Sequence, residues 1–422
     1  MRQPADCQTP PDSQSSGQPN EPVTRGVDRS APGDLIYPGD MTGLSLLDVG
    51  CRNGELCIEA CKRGATDVTG VDFDHDALDQ GRRIAEQQSC NVQFRRLDIE
   101  HEEIDRQYDY VLCLNLMHRF KNPITVLDRL LRSTRRRLIL ELSAFTRLDR
   151  RRLGMTPLIA WILRCLPVLY ACPANAENAA HSTGFSITPA AVGNMFQFHR
   201  SVVANVQTIP STRKSRRLVI ADKRRFDRVV VFAGPASIGK STLIEQLAQG
   251  RAAHVAERLA LGDLKQWRQV EAAKLRRINE PYLPRVLFHY NMLSSRLRGI
   301  RPFERDERLD PLALAQKVTF VTLWTTPQVY RRRFDQVKID PNMRNEQFAG
   351  PEYFLEMRSL IEDHEELFDY YRKWFDYVRE KGAESLIIDN TEQEPSLISF
   401  TQWEQRARTA HHESDQGHAS RT

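Results

Sequence analysis

The sequence predicts an α/β protein built as two abutting domains, each with a mainly parallel sheet. Three observations carry this. From Leu44 to Lys223, short apolar runs alternate with helix-length segments, the pattern of strands joined by covering helices. The alternation restarts at Arg228–Phe232, after a short charged link, Asp222–Asp227. The 422 residues, 41% hydrophobic and 27% charged, have the length and composition of a globular chain with more than one domain.

Residues 1–40 are rich in Pro, Gln, Ser, Gly and Asp and lack an apolar core, so they read as a disordered N-terminal segment without a signal peptide. The first domain is expected over 41–223. Its strand candidates are Ser45–Val49, Val68–Asp72, Val92–Leu97, Tyr110–Leu114, Arg137–Leu142, Phe198–Val206 and Arg217–Ala221, with helices over Glu55–Arg63, Asp76–Gln88 and Pro123–Thr134. The second domain is expected over 227–408. Its strands are Arg228–Phe232, Val286–Phe288, Val318–Trp324 and Ser385–Asp389, and its helix Lys240–Gln249 follows a Gly-containing turn. Phe354, Met357, Ile361, Phe368, Tyr371, Phe375 and Val378 keep three- and four-residue spacing, which predicts one long core-facing helix over Glu352–Lys381 ended by Gly382. The polar tail, 409–422, reads as disordered.

Charge and cysteines narrow the functional classes. Sixty Lys plus Arg against 55 Asp plus Glu leave a formal net charge of +5, with both signs interspersed. Arg135–Arg137, Arg150–Arg152 and Arg213–Arg217 read as solvated faces, so a nucleic-acid partner is not expected. All eight cysteines fall within the first 172 residues and none forms a CxxC pair, the usage of a reduced cytoplasmic protein. Cys57 and Cys61, four apart on a helix, lack a nearby His and make a poor zinc site. Thr156–Cys172 is apolar but interrupted by Arg164 and Pro167, and too short to span a bilayer. It suits an apolar lid over an acceptor, a peripheral membrane contact, or a packing helix.

The first candidate site lies at successive strand ends. Leu46-Leu47-Asp48-Val49-Gly50-Cys51-Arg52-Asn53-Gly54 ends a strand and turns into a helix, Gly50 permitting the turn and Gly54 a close helix start. Asp48 offers a carboxylate to a cationic ligand group. Asp72 ends the next strand, where a carboxylate accepts two ribose hydroxyls, and Asp98 ends the third, where it accepts an exocyclic amine. The fourth strand runs through Asn115 to His118.

These residues resemble class I S-adenosylmethionine-dependent methyltransferases over Leu44–Lys223. Asp48–Gly54 matches the first motif, with Arg52 where a middle Gly is common. The resemblance implies a Rossmann-like seven-stranded sheet whose last strand, fitted by Arg217–Ala221, is antiparallel. It implies S-adenosylmethionine held by Asp48, Gly50, Cys51, Gly54, Asp72, Asp98 and Asn115, with His118 as a base for a hydroxyl acceptor or as a pocket-lining residue. The runs that accompany amide or cytosine methylation are missing after the fourth strand, which leaves a small-molecule or glycan-type oxygen acceptor. Nucleic-acid methylation stands as the remaining alternative.

The second candidate site is a complete GxxxxGK[ST] sequence: Gly234, Pro235, Ala236, Ser237, Ile238, Gly239, Lys240, Ser241, then Thr242. It follows a strand and opens a helix, the context in which loop amides and a helix N-terminus cradle phosphates. ATP is the expected ligand, with Lys240 on the outer phosphates and the Ser241 hydroxyl at one Mg²⁺ position. The domain also resembles small P-loop kinases. Arg331, Arg332 and Arg333 fall where those kinases carry a lid, with Arg332 expected to reach the phosphates, ahead of a loop-like Lys338–Asn345. One departure is plain: His289-Tyr290-Asn291 stands where an acidic metal partner is expected, with Asp263 as a substitute. The two resemblances imply a bifunctional enzyme. A methyltransferase regulated by a nucleotide-binding module without kinase activity is the alternative.

Overall fold

The structure, a computed structural model, describes residues 36–143, 154–171, 185–213, 216–293, 303–336, 358–359 and 361–419. Two separate sheets organise them. The first contains β1 (Ser45–Val49), β2 (Asp67–Asp72), β3 (Val92–Arg96), β4 (Tyr108–Leu114), β5 (Thr134–Ser143), β8 (Val203–Pro210) and β9 (Arg216–Lys223). Their order is β3-β2-β1-β4-β5-β9-β8, parallel from β3 to β5, with β9 antiparallel to both its neighbours. Strand β1 is buried along its whole length, as a central parallel strand covered on both faces must be.

Side-chain caps start most of the covering helices. Asp74 accepts from the Ala77 amide at the start of α2 (His75–Gln87), and Asn122 accepts from Thr125 before α3 (Pro123–Ser133). Pro123 at the first helical position needs no amide partner there. Val126, Leu127, Leu130 and Leu131 then form the buried face of α3. Helix α1 (Glu55–Lys62) instead begins at Gly54. Beyond β5 come α4 (Pro157–Cys165), a two-stranded ribbon of β6 (Leu169–Ala171) and β7 (Phe185–Ile187), and α5 (Pro189–Phe198).

The second sheet contains β10 (Phe226–Gly234), β11 (Arg268–Glu271), β12 (Arg285–Asn291), β13 (Ala315–Trp324), β14 (Glu384–Asp389) and β15 (Ser396–Ile398). Its order is β11-β12-β10-β13-β14-β15, parallel except for β15. Helices α6 (Lys240–Ala248), α7 (Ala253–Arg258), α8 (Pro327–Asp335), α9 (His364–Glu380) and α10 (Phe400–Ala419) accompany it. The aromatic stripe of α9 is core, as its spacing predicts. Trp374 Nε1 donates to Thr322 Oγ1 (2.9 Å), Tyr371 donates to the Leu323 carbonyl (2.8 Å), and Phe375 meets Trp403 edge-on at 4.8 Å.

Several boundaries differ from the sequence reading. Order begins before Leu44: Ile36, Tyr37 and Met41 are buried in the first core, so an apolar foot of the 1–40 segment joins the fold. The expected strand Phe198–Val206 is a helix end followed by β8, because Thr188 caps α5 and carries the helix through Phe198. Helix α9 starts at His364, since Asp363 leaves helical geometry and caps the Glu366 amide; residues 351–357 lie outside the described residues. The 409–422 tail is helical through Ala419, continuing α10 beyond its Trp403 anchor. The four-residue β11 and the three-residue strands β6, β7 and β15 are too short for their patterns to register. The link between sheets is two residues, Arg224 and Arg225, shorter than the expected Asp222–Asp227.

Candidate functional sites

The carboxyl ends of β3, β2, β1 and β4 stand side by side, with Asp98, Asp72, Asp48 and Asn115 at or just beyond them. The strand order reverses between β1 and β4, the place where open α/β sheets take ligands. Asp48 is fully buried. Gly50 has φ +73, and its amide and that of Cys51 both donate to the Val71 carbonyl (2.7 and 3.0 Å). A Cβ at Gly50 would lie 2.8 Å from a terminal methyl of Leu116, so the turn is strained for any other residue and packed under the fourth strand's exit.

Gly54 makes a different contact from a ligand contact. A Cβ there would lie 2.4 Å from the Phe94 ring on β3, so the residue seats the helix start on the sheet. Cys51 is buried and its sulfur lies where a Cβ on Gly70 would have to go, so only its backbone faces the turn. Arg52 adopts φ +52, and its amide donates to Asp72 Oδ2 (2.8 Å). Asp72 Oδ1 accepts from the Asp74 amide (3.1 Å). Each oxygen of this buried carboxylate retains acceptor capacity.

Asp98 is more open. Its Oδ2 lies 2.7 Å from His101 Nδ1 and its Oδ1 accepts from the Glu100 amide (3.0 Å). Burial raises its carboxyl, but these hydrogen bonds and the nearby His101 and Arg129 hold it below the usual carboxylate range. Asn115, at φ +54, donates its amide to the Glu141 carbonyl and accepts from Ser143 Oγ (2.8 Å). His118 is half-buried on the short turn Met117–Arg119 that follows, and β7 packs against that turn.

The second site forms where β10 turns into α6. Ser237 (φ +62) and Gly239 (φ +102) bend the loop, and a Cβ on Gly239 would lie 2.4 Å from Asn390 Nδ2. The first bond from the loop into the helix runs from the Leu243 amide to the Gly239 carbonyl, which leaves the amides of Lys240, Ser241 and Thr242 at the open helix start. Lys240 turns its ammonium back onto the loop, donating to the Gly234 (2.8 Å) and Pro235 (2.5 Å) carbonyls. Burial of that ammonium lowers its pKa to about 7. A cleft of about 1060 Å³ opens here, lined by Ser237, Gly239, Lys240, Ser241, Thr242 and Arg333 among others.

Here the structure corrects one residue. Arg332 is exposed, whereas Arg333 donates to the Ile238 (3.2 Å) and Asn390 (2.7 Å) carbonyls and lines the cleft. The helix phase of α8, with Tyr330 and Phe334 buried, decides which arginine turns toward the loop. Asn390 was not legible from sequence; it follows β14 and donates to the Ile238 carbonyl (2.9 Å). No carboxylate ends β12: His289 and Asn291 stand there, in register with Phe232 and Gly234. Burial, and then the Lys240 charge, lower the His289 pKa. Glu271 of β11, on a strand too short to see in the sequence, lies in register with His289 and accepts from Lys274 Nζ (2.8 Å). Asp263 is exposed and caps Lys265. Lys338–Asn345 lies outside the described residues.

Comparisons with known proteins bear on the first site. Residues 46–138 match the family described as a methyltransferase domain. The ubiquinone biosynthesis O-methyltransferase of Acinetobacter baylyi is 35% identical over 94 residues, 22% of this chain and 39% of that protein. Its namesake in Coxiella burnetii is 37% identical over 84 residues, 20% of this chain and 36% of that protein. The chain thus spans well under half the length of the curated relatives it matches. Among solved structures, magnesium protoporphyrin IX methyltransferase from Synechocystis PCC 6803 has TM-score 0.33 at 19% identity, over 45% of this chain and 78% of that one. An S-adenosylmethionine dependent methyltransferase from Mesorhizobium loti has TM-score 0.34 at 15% identity, over 45% and 94%. The matched segment, residues 46–138, is the one that carries Asp48, Asp72, Asp98 and His118, and it is similar to methyltransferase domains.

Proposed function

We propose that the N-terminal half transfers a methyl group from S-adenosylmethionine to a hydroxyl oxygen of a small-molecule or glycan-type acceptor. The observation that carries this is the row of Asp48, Asp72 and Asp98 at consecutive strand ends around the Gly50 turn. The donor set fits: Asp72 has acceptor capacity for a ribose diol, Asp98 accepts an exocyclic amine, and Asp48 places negative charge where a sulfonium is welcome. S-adenosylmethionine supplies an activated methyl group when bound. The chain's own work is then to align the acceptor, exclude water and take a proton. His118, beyond β4, is the residue assigned to accept the hydroxyl proton. The O-methyltransferase names of the matching relatives support oxygen as the acceptor atom.

The test is methyl transfer to a panel of hydroxylated small molecules, read by mass spectrometry. His118→Ala should lower kcat by about a hundredfold or more while leaving the affinity for S-adenosylmethionine unchanged. Methylation found only on nitrogen or on a nucleic-acid base would overturn the oxygen assignment.

A second reading concerns the C-terminal half, and the open cleft at the Gly234–Ser241 loop favours it. We propose that this half binds ATP there and transfers its terminal phosphoryl group to a small acceptor, making the chain bifunctional. Lys240, Arg333 and the first-turn amides of α6 suit the phosphates, and the Ser241 hydroxyl is the residue assigned to Mg²⁺. Bound nucleotide with no phosphorylated product, but altered methyl transfer in the presence of a non-hydrolysable analogue, would assign this half to regulation instead.

A further inference from the structure

The chain passes from the first sheet to the second through a run of charged residues, Asp222 to Asp227, and most of them have clear partners. Asp222 accepts from Arg137 Nε (2.7 Å). Lys223 Nζ donates to the Leu131 (3.1 Å) and Thr134 (2.6 Å) carbonyls. The Arg225 guanidinium lies 4.9 Å from the centre of the Tyr282 ring. Asp227 accepts from the Tyr282 hydroxyl (2.5 Å) and from Gln316 Nε2 (3.3 Å).

Arg224 is the exception. It is 1% exposed, the most buried charge of the run after the fully buried backbone around it is set aside, and among the described residues no carboxylate pairs with it. Its Nη2 makes one long contact, to the Arg200 carbonyl (3.3 Å). Its Nε and Nη1 are buried and meet no acceptor among the described residues. The neighbouring charge that acts on it is Arg200, of the same sign; burial and then that charge lower its pKa to about 10, which leaves the guanidinium protonated at neutral pH.

A buried charge with neither counter-charge nor hydrogen-bond acceptor is among the costliest features a fold can carry. The acids nearby are committed elsewhere: Asp109 to Arg136 (2.7 Å), Asp222 to Arg137, and Asp227 to Tyr282. An interior water would supply an acceptor oxygen but no charge. The degree of enclosure selects a small ion over an organic one.

We infer that Arg224 is the floor of a binding site for a small inorganic anion of halide size, held at the joint between the two halves. The place is where the two sheets are tied together. Arg200, on the turn between α5 and β8, donates to Asn279 Oδ1 (3.4 Å) of the second half. The Arg225 amide donates to the Pro281 carbonyl (2.8 Å), and the Leu283 amide donates to the Arg225 carbonyl (3.0 Å). The anion thus neutralises the one uncompensated charge in this joint and stabilises the contact between the halves.

The test is thermal unfolding of the full chain in sodium chloride and in sodium gluconate at equal ionic strength, gluconate being too large to enter. Chloride should raise the midpoint by about 3 °C or more. Arg224→Met, close in volume and uncharged, should abolish that rise and should melt higher than the unaltered chain in gluconate. Equal midpoints in the two salts, as an interior water would give, or the same chloride-dependent rise in Arg224→Met, would overturn the inference. Should Arg224→Met fail to fold, anomalous diffraction from bromide-soaked crystals of the unaltered chain decides: bromide within hydrogen-bond reach of Arg224 Nε or Nη1 supports the site, and none there refutes it.

Discussion

Each half of the chain leaves the first strand of its sheet through a turn with positive φ, yet the two turns are chemically opposite. At Gly50 and Cys51 the turn amides are spent on the Val71 carbonyl, and the groups left around it are carboxylates, Asp48 and Asp72. At Gly239 the chain enters α6 with its first-turn amides open, and the groups around it are Lys240 and Arg333. One strand–turn–helix plan therefore leaves carboxylates around the first turn and cationic side chains around the second. What differs is whether the amides are consumed internally and which charge ends the neighbouring strands.

The largest effects should come from breaking each turn in isolation. Gly50→Asp places a side chain on Leu116 at φ +73 and a further carboxylate in the pocket. Calorimetry should show S-adenosylmethionine binding abolished and Mg-ATP binding retained. Lys240→Ala should do the reverse, weakening Mg-ATP by on the order of tenfold to a hundredfold, the worth of a charge-assisted contact. Loss of both ligands in either variant would show that the two sites are coupled.

A finer cut separates neighbouring arginines. Arg333→Ala should weaken Mg-ATP by about tenfold, because its guanidinium bridges the Ile238 and Asn390 carbonyls beside the loop, whereas the exposed Arg332→Ala should change little. Equal effects would mean that α8 turns on binding.

The Lys240 pKa adds a pH signature to the second turn alone. With its pKa lowered to about 7 by burial, Lys240 loses its proton as pH rises above that value, and binding a polyphosphate then requires proton uptake. Mg-ATP affinity should fall between pH 7 and about 9, by at most about tenfold per pH unit, and Lys240→Ala should flatten the slope. The unfolded chain holds this proton up to the ordinary lysine value, so the same group makes the fold more stable as pH rises from about 7 toward about 10.

The smallest effect belongs to Arg52. A non-glycine residue at φ +52 costs on the order of 1 kcal/mol, so Arg52→Gly should leave the protein slightly more stable by thermal unfolding, while its amide still reaches Asp72.

Local patterns determined a good deal. The strand–helix alternation placed the central strands, Asp48, Asp72 and Asp98 stood at strand ends as their spacing implied, and Gly234–Ser241 opened a helix. These features depend on residues close in sequence, where apolar periodicity and turn chemistry act directly. Only the tertiary structure decided that Arg333 rather than Arg332 faces the loop, that Asn390 closes on Gly239 from far along the chain, and that Glu271 lies across from His289. It also decided that the apolar helix α4 stays outside the core. The reason is physical: a side chain's neighbours across a sheet, and the face a short helix buries, are set by packing between segments distant in sequence, and no local pattern carries that information.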